Sequence, residues 1–122
     1  MEISSNPSKS NYTITHYDEK SITINGRNYC DSLVIFPETI HAPWNVTNIA
    51  DLTHDDIEWV IKKPCDFILF GTGKTTIIPN DDLIKPIYEK NIGFEFMSSQ
   101  AAIRLLIILL SEQRPVTACL IL

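Results

Sequence analysis

The feature that most narrows the possible folds lies between Asp66 and Leu122, where short apolar runs alternate with helix-like segments. Asp66 to Phe70, Phe94 to Met97 and Val116 to Leu122 are strand-sized and rich in the β-branched and aromatic residues that pack well on a pleated surface. Between them, Asn80 or Asp81 opens a helix reaching about Lys90, and Ser98 or Ser99 opens one running to about Gln113. Short polar side chains at those points satisfy the free N–H groups of a first helical turn. Such strand–helix–strand units imply parallel neighbours joined by right-handed crossovers. The expected fold class is α/β: a layered domain with a mixed sheet, an N-terminal β-hairpin and this C-terminal strand–helix–strand–helix–strand unit.

The hairpin is read from Ser21 to Cys30, where Asn25-Gly26 separates two β-prone stretches and tolerates positive φ at both central positions of a type I′ turn. Tyr12 to Thr15 is a candidate strand before it. Leu33 to Phe36 is a short strand stopped by Pro37, and Pro37 to Asp51 is an ordered loop with room for a strand near Val46. Thr53 is the expected N-cap of a helix carrying Asp55 and Asp56 in its first turn and stopped by Pro64. Ile57, Val60 and Ile61 form its apolar stripe, away from which Trp59 projects. Thr75 to Ile78 reads as one more strand. Pro86 implies a kink in its helix or a start at Pro86 itself.

With 122 residues the chain suits one domain, expected over 12–122, after a Ser/Asn-rich tail over 1–11 read as disordered and unlike a targeting signal. A net charge of −5 and scattered Lys and Arg speak against nucleic acid and against an anionic membrane surface. The run Leu105 to Leu110 is too short for membrane insertion. Cys30, Cys65 and Cys119 lack paired spacing, so the expectation is buried free thiols in a reducing, cytoplasmic setting, without a metal.

Candidate chemistry is sparse. Phe70-Gly-Thr-Gly-Lys-Thr75 resembles a phosphate loop, but the position that needs the first glycine holds Ile68, so a turn between strands is the better reading. His16, His41 and His54 are isolated, and Ser98 and Ser99 lack a nucleophile-elbow context. No catalytic residue, cofactor or metal is expected, and the chain reads as non-enzymatic. One alternative survives, a small anionic-ligand binding protein or enzyme. In open α/β sheets ligands settle beyond the carboxyl ends of the strands. There this sequence places Gly71, Thr72, Gly73 and Lys74, then Ser98, Ser99 and Gln100 at a helix start, with Arg104 one turn on. Free N–H groups at a helix start suit a small anion.

On a helical wheel for the last helix, Gln100, Arg104 and Ser111 share a narrow polar stripe with Ile107 among them, and the other faces are apolar. Two readings stay open: a central helix covered on all sides, or a surface for a protein partner or a second copy. The second would use Ile103, Ile107 and Leu110, with Trp44 or Trp59 as further contacts.

The segment Gly93-Phe-Glu-Phe-Met-Ser-Ser-Gln-Ala-Ala-Ile-Arg104, followed by Leu110-Ser-Glu-Gln-Arg-Pro-Val116, resembles the C-terminal signature of a small domain of bacteria and archaea. That domain also occurs in mitochondrial complex I assembly factor 3. Ile24-Asn25-Gly26, Tyr29, Ser32 to Pro37, Pro43-Trp44 and Gly71-Thr72-Gly73 match in order, so the resemblance spans about Thr15 to Leu122. It implies a compact α/β domain with a mixed sheet, and a binding or assembly role without established catalytic residues. Members often carry Thr-Tyr-Asn after the helix arginine, where this chain has Leu105, Leu106 and Ile107. That exchange disfavours a polar ligand beside Arg104 and favours a greasy protein contact.

Overall fold

The computed structural model describes residues 12–122; the tail expected over 1–11 lies outside the described residues. In chain order come β1 (Ile14–Tyr17), β2 (Ile22–Ile24), β3 (Arg27–Tyr29), β4 (Leu33–Ile35), β5 (Ile40–His41), a 3-10 turn (Ile49–Asp51) and α1 (His54–Ile61). Then follow β6 (Phe67–Gly71), α2 (Asp81–Glu89), β7 (Gly93–Met97), α3 (Ser99–Ser111) and β8 (Val116–Leu120). Strands β1, β2 and β3 form an antiparallel meander, and β5-β4-β8-β6-β7 form the central mixed sheet. Both expected crossovers are present: β6 pairs parallel with β7 on one side and with β8 on the other.

Residue alternation on the strands builds a separate core on each face of the central sheet. Ile68 and Phe70 of β6, Val34 of β4 and Cys119 of β8 pack with Ile57, Val60 and Ile61 of α1 and Ile84 and Ile87 of α2. Leu69, Leu33, Ile35, Ala118 and Leu120 point the other way, onto Ala102, Ile103, Leu106 and Leu109 of α3 and Ile22 and Ile24 of the meander. The first crossover steps to one side of β6 and the second returns past it to the other. A common crossover hand then puts α2 and α3 on opposite faces.

Local signals account for most of the boundaries. Asn25 (φ 52°) and Gly26 (φ 83°) take the two left-handed positions of the β2–β3 turn. Thr53 caps α1 in a reciprocal box: its Oγ1 accepts from Asp56 N–H at 3.2 Å while Asp56 Oδ2 accepts from Thr53 N–H at 2.9 Å. Helices α2 and α3 end on left-handed Asn91 (φ 57°) and Gln113 (φ 61°). Ile92 N–H then returns to Ile87 O and Arg114 N–H to Leu109 O, closing both last turns. Pro86 lies inside α2 rather than at its start. Proline has no N–H for the Asp82 carbonyl one turn back, and His54 Nε2 approaches that oxygen at 3.0 Å. The carbonyl only accepts, so this nitrogen carries the hydrogen, and the contact ties α1 to α2.

Two expected strands do not form. Thr75 to Ile78 is irregular, because β6 already has β7 and β8 on its two edges and Thr72 folds the segment back through its own hydroxyl. Val46 is buried but unpaired as a strand, and the short strand lies earlier, at Ile40–His41. Of the thiols expected to be buried, only Cys119 is; Cys65 is half-buried and Cys30 is exposed.

Tyr12 links the meander to the main sheet by donating its hydroxyl to Phe36 O at 2.7 Å in a buried setting. Burial above all, helped by the charge of Glu38 and by Tyr29, pushes its phenol from 10.0 up to about 12. An unfolded chain releases this proton near 10 and the folded chain holds it until about 12. The Tyr12 contribution is therefore intact below pH 10 and lost as pH rises through that window. Urea titrations are expected to show Tyr12→Phe less stable at neutral pH by about 1 kcal/mol. Its stability should also fall less steeply than the parent's at alkaline pH, and parallel curves would contradict this assignment.

Candidate functional site

The carboxyl ends of β6 and β7 are where a doubly wound sheet opens its crevice, since the loops leaving them turn to opposite faces. Here the crevice is closed by the chain itself. Ser99, at the first turn of α3 and 3% exposed, donates its hydroxyl to Ile121 O and accepts from Gly73 N–H at 2.9 Å. Its own N–H donates to Gly73 O at 2.8 Å. Thr72 N–H reaches Met97 O at 2.8 Å, and Thr72 Oγ1 accepts from Ile77 N–H at 3.0 Å while facing Thr75 O at 2.5 Å. Ser98 caps α3 by accepting from Ala101 N–H at 3.3 Å.

This closure depends on Gly71. A Cβ there would stand 2.8 Å from Ser99 Oγ, 2.9 Å from Ser99 Cα and 3.0 Å from Leu120 Cδ2. Gly73, at φ 102°, turns the loop so that its N–H and carbonyl both face Ser99.

The anion site expected at this point is therefore redistributed. Gly71, Thr72 and Ser99 are buried and spend their polar groups inside the fold. A crevice of only 30 Å³ is left between Glu19, Gly73, Lys74, Ser98, Ser99 and Gln100. Arg104 is exposed and lines neither this crevice nor the larger cleft beside it. That cleft, 560 Å³, opens toward β8 and is bounded by Glu19, Lys20, Cys30, Thr47, Asn48 and the loop Thr72–Thr75, with Ile49, Ile77, Ile121 and Leu122 as apolar wall. None of Lys20, Cys30, Thr47 and Asn48 was expected at a ligand site; they reach the cleft from three separate loops.

The expected partner-contact residues also divide. Trp44 and Ile103 are 3% and 0% exposed, in the cores on opposite faces of the sheet, so neither offers a surface. Trp59 is half-buried and packs edge-on against Phe36 and His41, with ring centroids 5.4 and 4.8 Å away. Ile107 and Ile108 of α3 are 36% and 54% exposed, and Leu105 and Leu110 are half-buried. Ile107, Leu110 and Ser111 border a 220 Å³ groove against Tyr12, Thr13 and Ile14. The sheet thus covers one side of α3 and leaves an apolar side open.

Among the described residues no three His, Cys, Asp or Glu side chains gather as a metal site, and no helix is long and apolar enough to cross a membrane. His16 stands by Thr15 Oγ1, His41 by Trp59 and His54 by the Asp82 carbonyl.

Fold and site together define a small three-layer α/β domain whose strand-end crevice is stapled by a buried serine. The chain belongs to the family described as "Protein of unknown function (DUF498/DUF598)", which matches residues 14–121. Solved structures of the same fold include a Bordetella parapertussis protein, 28% identical with a TM-score of 0.83 over 93% of this chain and 98% of that one. A Xanthomonas campestris protein is 25% identical with a TM-score of 0.80 over 99% and 92% of the two chains. A Bordetella pertussis protein described as a Mth938-like domain is 24% identical with a TM-score of 0.75 over 98% and 91%. Comparison with the curated proteins found no match. The family and the fold agree with the resemblance carried by the ordered motifs.

Removing the Ser99 hydroxyl leaves a buried donor and acceptor unpaired, so Ser99→Ala is expected to cost about 1–3 kcal/mol in urea denaturation. Gly71→Ala is expected to cost a similar amount, about 1–3 kcal/mol, through overpacking. In a Ser99→Ala background the Gly71→Ala cost should shrink but persist, because Ser99 Cα still stands 2.9 Å from the new methyl position. Full additivity in the double-mutant cycle would show that the two residues are not coupled.

Proposed function

We propose that this chain is a non-enzymatic protein-interaction module of the assembly-factor type, with the outer face of α3 as its contact surface. The observation that carries the reading is the exposure of Ile107 and Ile108, 36% and 54%. Ala102, Ile103, Leu106 and Leu109 already supply the stripe that α3 needs to sit on its sheet. Ile107 and Ile108 lie outside that core, and Arg104 is the one charged side chain between Ser99 and Ser111. A contiguous apolar patch left open on a small domain is a mark of a contact site. Similarity to the assembly-factor family, whose mitochondrial member works through protein contacts, supports the same reading.

The test replaces apolar bulk with charge where the fold does not use it. Ile107→Asp/Ile108→Asp should keep the parent's circular dichroism and melting temperature. Affinity capture from the source cell should recover a discrete partner with the parent, and about tenfold less with the double variant. If the partner is a second copy, sedimentation of the parent alone should depend on concentration and that of the variant should not. A parent that stays monomeric and captures nothing, or a variant that captures equally, overturns the proposal.

A further inference from the structure

We propose that the 560 Å³ cleft at the carboxyl ends of β6 and β8 binds a small phosphate monoester with an apolar body, its headgroup on Lys20 and Lys74 and its body on Ile49, Ile77 and Ile121. This site is separate from the α3 face and does not depend on the reading given for it. The size is that of small-molecule sites, which run to several hundred Å³. Its position beyond the ends of parallel strands is where open α/β sheets place ligands, displaced toward β8 because Ser99 closes the gap between β6 and β7.

The lining has the chemistry of an anion cradle. The lining residues include two lysines, Lys20 and Lys74, against one acidic residue, Glu19, within a chain whose net charge is −5. Glu19, Gly73 and Lys74 also border the small crevice at Ser98 to Gln100. The turn after β6 adds backbone donors. Gly73 N–H is taken by Ser99 Oγ and Ile77 N–H by Thr72 Oγ1, whereas the N–H groups of Lys74 and Thr75 have no acceptor among the described residues. Successive free N–H groups in a turn beside lysines suit a phosphate, which offers more acceptor oxygens than a carboxylate. Of the apolar lining, Ile77 is 45% exposed while Ile49 and Ile121 are 5% and 6% exposed. An apolar body covering Ile77 would complete that wall.

Cys30 supplies the readout. It lines the cleft and is the exposed thiol, whereas Cys65 is half-buried and Cys119 buried. The experiment follows alkylation of Cys30 by N-ethylmaleimide, by peptide mass spectrometry, with phenyl phosphate as probe. Inorganic phosphate, phenol and phenylacetate serve as headgroup, body and carboxylate controls. Phenyl phosphate at about millimolar concentration, the range of a weak small-molecule contact, is expected to slow Cys30 alkylation at least severalfold and saturably, with each control weaker. Lys20→Ala/Lys74→Ala should abolish the protection, Lys20→Arg/Lys74→Arg should retain it, and Ile107→Asp/Ile108→Asp should leave it unchanged. The proposal is overturned if phenyl phosphate gives no protection, if the alanine variant is protected as well as the parent, or if any control protects equally.

Discussion

The fold turns on a single buried hydroxyl. Ser99 joins three elements that are remote in sequence: the first turn of α3, the loop after β6 through Gly73, and the end of β8 through Ile121. It fits because Gly71 has no Cβ, so the helix start can approach β6 at a distance that any other residue would block. A polar group so placed is costly unless it is hydrogen-bonded. Here one donor and one acceptor are both used. The helix start that commonly receives a ligand's phosphate is occupied by the protein's own loop instead.

Much of the surface follows from that contact. With its first turn pinned over β6 and β8, α3 presents Ala102, Ile103, Leu106 and Leu109 to the sheet and turns Ile107 and Ile108 outward. Closure between β6 and β7 also leaves the open space on the β8 side, among loops that arrive from the meander and from the segment before α1. On the opposite face a second polar contact performs a similar task, where His54 meets the carbonyl that Pro86 leaves without an intrahelical donor. One face of the sheet is thus covered by two tied helices, and the other by one helix and a meander.

Signals that act over a few residues were readable in the sequence. Asn25-Gly26 specified its turn because both residues tolerate positive φ. Thr53 and Asn80 acted as expected caps. The Thr75 to Ile78 strand failed for a non-local reason, since β propensity needs an open sheet edge and β6 had none. Trp44 and Ile103 were expected among the partner contacts, and only packing across the sheet placed both inside. Ser98 and Ser99 are indistinguishable as letters, yet one caps the helix and the other staples the crevice.

What local chemistry could decide, the order of residues decided: strand–helix alternation, parallel pairing, a mixed sheet and the family to which the chain belongs. Assembly in three dimensions was needed for everything that depends on residues far apart along the chain. It assigned Gly71, Thr72 and Ser99 to structure rather than to a ligand. It also brought Lys20, Cys30 and Lys74 around one cleft and left Ile107 and Ile108 uncovered. The physical reason is common to all of these. Hydrogen-bond saturation and burial belong to a side chain's final neighbours, and those neighbours are set by how the layers close.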